Sequence, residues 1–153
     1  VSTQEPAAEP STLEVTRRYL DATSRGAYDE LADLYAEDAV IEIPFAPPGI
    51  PRTSQGREVF RTRFKSAERM WQIEGVDHVS VHQSVDPEVV IVEFTLHRRM
   101  WESGKRVSSG YIVVMTIRDG LIQHSRDYAD PVAGARALGR LRDLAGNDDA
   151  NVE

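Results

Sequence analysis

The chemistry this sequence can offer gathers near the end of its last apolar run, in Gly120-Leu-Ile-Gln-His-Ser-Arg-Asp-Tyr-Ala-Asp-Pro131. Residues two apart in a β-strand share a face. The spacing therefore predicts Gln123, Ser125 and Asp127 on one side and His124, Arg126 and Tyr128 on the other. Arg126 then cannot neutralise Asp127, although the two are adjacent in sequence. If the first face lines the inside of a curved sheet, Asp127 is a carboxylate in a largely apolar pocket. Burial raises a carboxyl pKa, and a carboxyl titrating closer to neutrality suits general acid–base work. The same acid can also be a solvated strand end or a cap for the next helix. The pattern admits both readings.

Other chemistries find less support. The chain has no Cys, which excludes disulfides, thiolate nucleophiles and Cys-ligated zinc and fits a reducing, cytoplasmic setting. His78 and His82 lie four apart in an extended stretch, about 13 Å at normal strand rise, too far for one metal ion. His97 and His124 stand alone, in phase with charged neighbours, as outer-face residues do. No H-E-x-x-H, G-x-S-x-G, Walker loop or G-x-G-x-x-G occurs. Ser108-Ser109-Gly110 has no base nearby in sequence. Neither a metal nor an organic cofactor is expected. Glu93 interrupts Val-Val-Ile-Val-Glu-Phe-Thr-Leu, and a charge there needs a partner or a function. An Arg partner or a dimer contact would supply the first.

The elements that must position Asp127 follow from periodicity. Ser11 and Glu14 have capping-box spacing; Val15, Tyr19 and Ala22 then repeat at helical intervals, as do Leu13, Thr16 and Leu20, and Gly26 is a plausible stop. A second helix is predicted over 28–36, with Tyr28, Leu31, Leu34 and Tyr35 on its apolar side, followed by a short strand over 39–43. Four prolines and a glycine make 44–51 a stiff apolar loop, either a cover for the core edge or a lip over a ligand cavity. A third helix is predicted over 57–70. Phe60, Phe64, Ala67 and Trp71 form its apolar stripe. Arg57, Arg61, Arg63, Lys65 and Arg69 cover its other sides, either as a solvated face or with one Arg at the pocket mouth, holding a substrate carboxylate.

Extended segments follow from Val76, with Asp86-Pro87, the 102–105 turn and Asp119-Gly120 as breaks. The strands run over 88–101, 106–118 and 121–128. Asp130 and Pro131 open a C-terminal helix as cap and first residue, with Ala135, Leu138, Leu141 and Leu144 on one side. Helices, a short strand, a helix and then consecutive long strands predict an α+β cone: a curved, mainly antiparallel sheet covered by three to four helices. One domain over 11–145 is expected, with disordered tails at 1–10 and 146–153. The net charge is −7. The five tail acids account for most of it, so the remainder has no basic field for nucleic acid. No apolar run is long enough to span a membrane.

Three stretches carry a family resemblance: Arg25-Gly-Ala-Tyr-Asp-Glu-Leu-Ala-Asp-Leu-Tyr-Ala-Glu-Asp-Ala-Val40; Pro44 to Arg52 with Gly56-Arg-Glu58; and Ser125-Arg-Asp-Tyr-Ala-Asp-Pro131 with Ala137-Leu-Gly139. Together they resemble the SnoaL-like branch of the nuclear-transport-factor-2-like superfamily, nearest to the phenazine-biosynthesis A/B-like proteins, over about residues 12–142. The superfamily includes cyclases, isomerases, epoxide hydrolases and binding-only members, so the resemblance is specific for fold and weak for reaction.

The resemblance implies a homodimer through the outer sheet face, where Glu93, His97, His124 and Arg126 should lie. The family's acid at the end of the last strand falls on Asp127, one methylene shorter than the Glu of the phenazine proteins. Their helix His falls near Thr62 and their helix Ser at Ser66. The limonene epoxide hydrolases also have an acid at the Asp127 position. Their other Asp and its Arg fall on Leu96 and Phe94, and their water-holding Tyr and Asn near Ile41 and Ile43, so that hydrolase is not expected.

What remains is one acid in an otherwise apolar cone. The implied function is a cofactor-independent cyclase or isomerase of secondary metabolism. Asp127 would be its acid/base, Gln123 and Ser125 would orient a small apolar or aromatic substrate, and Phe45, Phe64 and Trp71 would line the pocket. The alternative is a ligand-binding or dimerisation module of the same fold without catalysis.

Overall fold

The computed structural model describes residues 8–145. The tail expectations for 1–7 and 146–153 lie outside the described residues. Pro10, at the end of the first tail, is half-buried against the turn at Gly120, where an added Cβ would come 2.9 Å from the proline ring.

The first helix, α1 (Thr12–Arg25), begins as the sequence indicates: Ser11 Oγ accepts from the Glu14 N–H at 3.1 Å. The Glu14 carboxylate turns outward to Arg17 and Arg18, so only half of the capping box forms. Gly26 ends the helix in the left-handed region (φ 64°), donating to Ala22 and Thr23 carbonyls. Glycine suits this position twice over, since a Cβ would also press to 3.3 Å on Ile73. Val15, Thr16, Tyr19 and Ala22 are buried.

Helix α2 (Tyr28–Asp33) is shorter than expected, because Tyr35 and Ala36 already belong to strand β1 (Tyr35–Glu42). Their apolar character fits both periods. The backbone decides for the strand: the Ile122 N–H donates to the Leu34 carbonyl at 2.8 Å, and Tyr35 pairs with Ile122. The 44–51 loop leads to a short edge strand not foreseen from sequence, β2 (Thr53–Gln55).

Helix α3 (Arg57–Ala67) stops before Met70. Trp71, in phase with its apolar stripe, instead starts strand β3 (Trp71–Gln83), paired with Met100. Residues 68–70 are drawn to the same end, where the Trp101 N–H donates to Met70 and its indole to Glu68.

Strands β4 (Val89–Met100), β5 (Arg106–Arg118) and β6 (Leu121–Ala129) fall close to expectation. Asp119 and Gly120, both with positive φ, turn β5 into β6. The six strands lie in the order β2-β1-β6-β5-β4-β3, antiparallel except for the parallel β1–β6 pair. The last expected helix is divided into α4 (Pro131–Ala137) and α5 (Leu141–Ala145) around Gly139, so the described residues contain five helices. Asp130 caps α4 as expected, accepting from Val132 and Ala133. Of the apolar side expected there, only Ala135 is buried, while Leu138 and Leu141 are exposed.

The architecture is therefore α+β, with a curved mixed sheet. One sheet face, carrying Val90, Val92, Phe94, Val113, Met115 and Ile122, packs with the buried side of α1 and with Phe60 of α3 into a single core. We refer to this face as the inner one. No helix among the described residues is long and apolar enough to cross a membrane.

Candidate active site

Strand β6 does not alternate without interruption. Thr116 of β5 pairs with His124, but the adjacent Ile117 pairs with Ile122, leaving Gln123 as the extra residue of a bulge. Ile122 and Ser125 consequently both face the core and are completely buried. Gln123 is thrown out of phase with Ser125. Its amide donates to the Arg118 carbonyl at 3.0 Å and closes the hairpin turn. The expected trio is thus a pair, Ser125 and Asp127.

Ser125 and Asp127 pair with Met115 and Val113 of β5, both fully buried core residues. Arg126 pairs with Val114 on the opposite phase and does not neutralise the acid. The Ser125 hydroxyl donates to Asp127 Oδ1 at 2.8 Å. Asp127 as a residue is half-buried. Burial nonetheless pushes its pKa up from 3.8 to about 6, while the Ser125 hydrogen bond and the charges of Arg63 and His124 pull part of the way back.

The cone is less apolar than expected, because three tyrosines gather around this acid. Tyr19 of α1, Tyr35 of β1 and Tyr111 of β5 are all raised above the usual phenol range, first by burial and further by the Asp127 charge. Tyr35 also approaches Ser125 and lies against Phe60 and Phe64, ring centroids 5.2 and 6.3 Å away. Phe64 joins this cluster through the Tyr35 ring.

Further along the inner face stands Arg98, which sequence reasoning passed over. It is 6% exposed. Its Nη2 donates to Ser109 Oγ at 2.6 Å, and its guanidinium lies 4.8 Å from the Trp71 ring centroid. Nε has no acceptor, and among the described residues no carboxylate comes within ion-pair distance. Burying an unpaired guanidinium costs several kcal/mol, of which a desolvated cation–π contact offsets about 2 kcal/mol. Tyr28 Oη, close by, is also buried and lies beside the Trp71 indole without a well-formed hydrogen bond. The signal was available: Arg98 shares strand phase with Val90, Val92, Phe94 and Leu96. Trp71 belongs to this Arg98 end of the cone and lies outside the Asp127 cluster.

Phe45 lies elsewhere. It is 60% exposed and packs edge-on against Tyr128 at 5.5 Å. The two line a groove of about 570 Å³ with Glu93, Thr95, Gly110 and Ile112. Glu93, Thr95, Gly110, Ile112 and Tyr128 lie on the outer side of the sheet, Phe94 and Tyr111 of the inner face also line the groove, and the 44–51 loop borders it. A second groove, about 480 Å³, runs along α3 past Val59, Thr62, Arg63 and Ser66. Asp127 lines neither groove. Thr62 and Ser66 spend their hydroxyls on their own helix.

The basic side of α3 is largely paired: Arg61 binds Asp29, Asp33 and Glu58, Lys65 binds Asp29, and Arg57 donates to the Tyr35 carbonyl. On the outer face Glu93 meets His82 at 2.7 Å, a histidine partner in place of the expected Arg. His97 Nδ1 bonds Ser108, its Nε2 lies 2.8 Å from Asp77, and His124 bonds Glu42. Among the described residues no three His, Asp or Glu side chains are grouped to hold a metal.

Residues 16–125 match the SnoaL-like domain model, most of the chain. This chain belongs to the SnoaL-like family. An uncharacterized PhzA/B-like protein of Pseudomonas aeruginosa is 32% identical over 113 residues, covering 74% of this chain and 79% of the relative. A Bacillus subtilis structure provisionally named an isomerase superposes with a TM-score of 0.79 at 28% identity, covering 84% of this SnoaL-like chain and 93% of its own. A Pseudomonas putida structure provisionally named a polyketide cyclase gives 0.71 at 18% identity, covering 83% and 97%, a likeness of fold alone. The nuclear-transport-factor-2-like cone expected from sequence is the fold of this SnoaL-like protein.

Proposed function

We propose that this SnoaL-like protein is a cofactor-independent enzyme of the cyclase or isomerase type, acting on a small aromatic or apolar molecule of secondary metabolism in the cytoplasm. Asp127 removes a proton from a carbon beside a carbonyl and returns it to another position. Ser125 steadies the carboxylate, and the tyrosine hydroxyls, above all Tyr111, hydrogen-bond the developing enolate oxygen. The observation that carries this reading is an inner-face acid, paired across from Val113 and held by Ser125 at 2.8 Å, that burial among tyrosines pushes up to about 6. A base with that pKa is mostly ionised at neutral pH yet strong enough to exchange protons. Such transfer contributes roughly 10²–10⁴-fold. Cyclase and isomerase names among the structural neighbours agree with this class. The homodimer belongs to the same proposal, seated on the outer face.

The test is solvent deuterium exchange at the α-carbon of a panel of aryl β-diketones and β-keto acids. Wild type should accelerate exchange on at least one compound, and Asp127→Asn should lose at least 100-fold of that acceleration while folding normally. Equal rates for the two proteins would remove Asp127 from the mechanism. A binding-only module is the second reading, favoured by the fact that neither groove reaches Asp127. It predicts ligand binding with no exchange above buffer.

A further inference from the structure

We infer that Arg98 is the anchor for an anionic ligand, and that the cone takes a small aromatic carboxylate whose charge rests on this guanidinium. The inference names the substrate class of the proposed enzyme and rests on that reading for the ligand's being a substrate. The anion itself is argued from Arg98 alone.

Three observations converge on it. The guanidinium is almost fully buried, donates one bond to the neutral Ser109 hydroxyl, and has an Nε without an acceptor. A second buried polar atom, Tyr28 Oη, lies in the same neighbourhood beside the Trp71 indole, without a well-formed hydrogen bond. Methionine or leucine would fill this inner-face position against Trp71 without desolvating a charge, so packing does not account for an arginine. A ligand carboxylate would satisfy the guanidinium fork in the bidentate way that arginine favours.

The surroundings select the rest of the ligand. Trp71 lies across the guanidinium, and Phe94 and Tyr111 stack with centroids 5.3 Å apart, giving flat apolar walls for a ring. Trp71, Tyr28 and Tyr111 are all half-buried. On β5, Tyr111 falls between Ser109, which Arg98 bonds, and Val113, which pairs with Asp127. It therefore stands between the anchored end of a ligand and the acid. A carboxylate on Arg98 would direct the body of the molecule past Tyr111 toward Asp127.

The experiment compares acid with amide by calorimetry on the full chain: benzoate against benzamide, phenylacetate against phenylacetamide, and 3-oxo-3-phenylpropanoate against its amide. Wild type should bind at least one acid tenfold or more tighter than its amide. Arg98→Met, which keeps the contact with Trp71, should bring that ratio close to one. Asp127→Asn should leave it intact. The wild-type ratio stands even if Arg98→Met fails to fold. No preference in wild type, whether from equal affinity or from no binding of either member of every pair, overturns the inference. So does a preference that survives in folded Arg98→Met, which would move the anion to another cation such as Arg63. Loss of deuterium exchange in Asp127→Asn without any acid preference would sink the anchor and leave the proposed chemistry standing. Acid preference without exchange would do the reverse.

Discussion

Ser125 donates its hydroxyl hydrogen to Asp127 Oδ1 across 2.8 Å, two residues along the same strand and on the same inner face. The bond favours the ionised carboxylate, whereas burial favours the protonated one. Their balance sets the acid near 6. Removing the hydroxyl in Ser125→Ala should therefore move the Asp127 titration further up, and with it the acid limb of any pH–rate profile. The same change leaves a buried carboxylate one donor short and should cost about 1–3 kcal/mol at pH 8 by denaturant unfolding. An unmoved titration would mean that the hydroxyl does not hold the acid in solution.

Stability against pH gives a separate prediction for Asp127. Its carboxyl titrates near 6 when folded and near 3.8 when unexposed to the fold. The folded chain thus binds this proton more tightly than the unfolded chain. The stability from that difference is fully present below about pH 3.8 and is lost as pH rises through 6. Asp127→Asn cannot lose it. Relative to wild type, the variant should gain about 1–3 kcal/mol between pH 4 and pH 7.5. Other carboxylates titrate in both proteins and cancel in the comparison. A difference that is flat with pH, or that falls, would deny the raised pKa.

The outer face makes a third prediction. Ile112 is 43% exposed on it and lines the groove with Phe45 and Tyr128, beside the Glu93–His82 pair. If two copies meet there, wild type should scatter light as a dimer at micromolar concentration, and Ile112→Asp should scatter as a monomer. A monomeric wild type, or a dimer unaffected by the substitution, would place the contact elsewhere or abolish it.

Helix α3 supplies a fourth. Arg61 joins Asp29 and Asp33 of α2 to Glu58 of its own helix, with exposed acids and a guanidinium that is partly covered. Arg61→Ala should lower stability by about 0.5–1.5 kcal/mol in low salt, and less in 1 M salt, where such pairs are screened. An effect independent of salt would point to lost packing of the arginine stem.

Most of the fold was legible because its signals are local. Ser11 and Gly26 mark the ends of α1, Asp119-Gly120 turns the last hairpin, and Asp130-Pro131 opens α4, each through chemistry confined to a few residues. The failures arose where tertiary pairing overrode a local period. Tyr35 and Trp71 suited a helical stripe, yet each heads a strand because β6 and β4 bind its backbone. At the site, the phase of Asp127 against Arg126 was readable by counting in twos. The position of Gln123 was not, because a bulge leaves no mark when the flanking residues are ordinary strand formers. Arg98 could have been found by the same counting, since it falls on the phase of Val90 through Leu96. The three tyrosines could not, because α1, β1 and β5 bring them together only through the curvature of the sheet.

The central claim, that Asp127 is a proton-transfer acid of the cone interior, is tested most directly by its own titration. The carboxyl carbon shifts of the aspartates, followed by NMR from pH 3 to pH 8 in wild type and with Asp127→Asn as the assignment control, give the midpoint without knowledge of any substrate. A midpoint near 6 is the result predicted. A midpoint at or below about 4, the range of a solvated aspartate, would contradict the account.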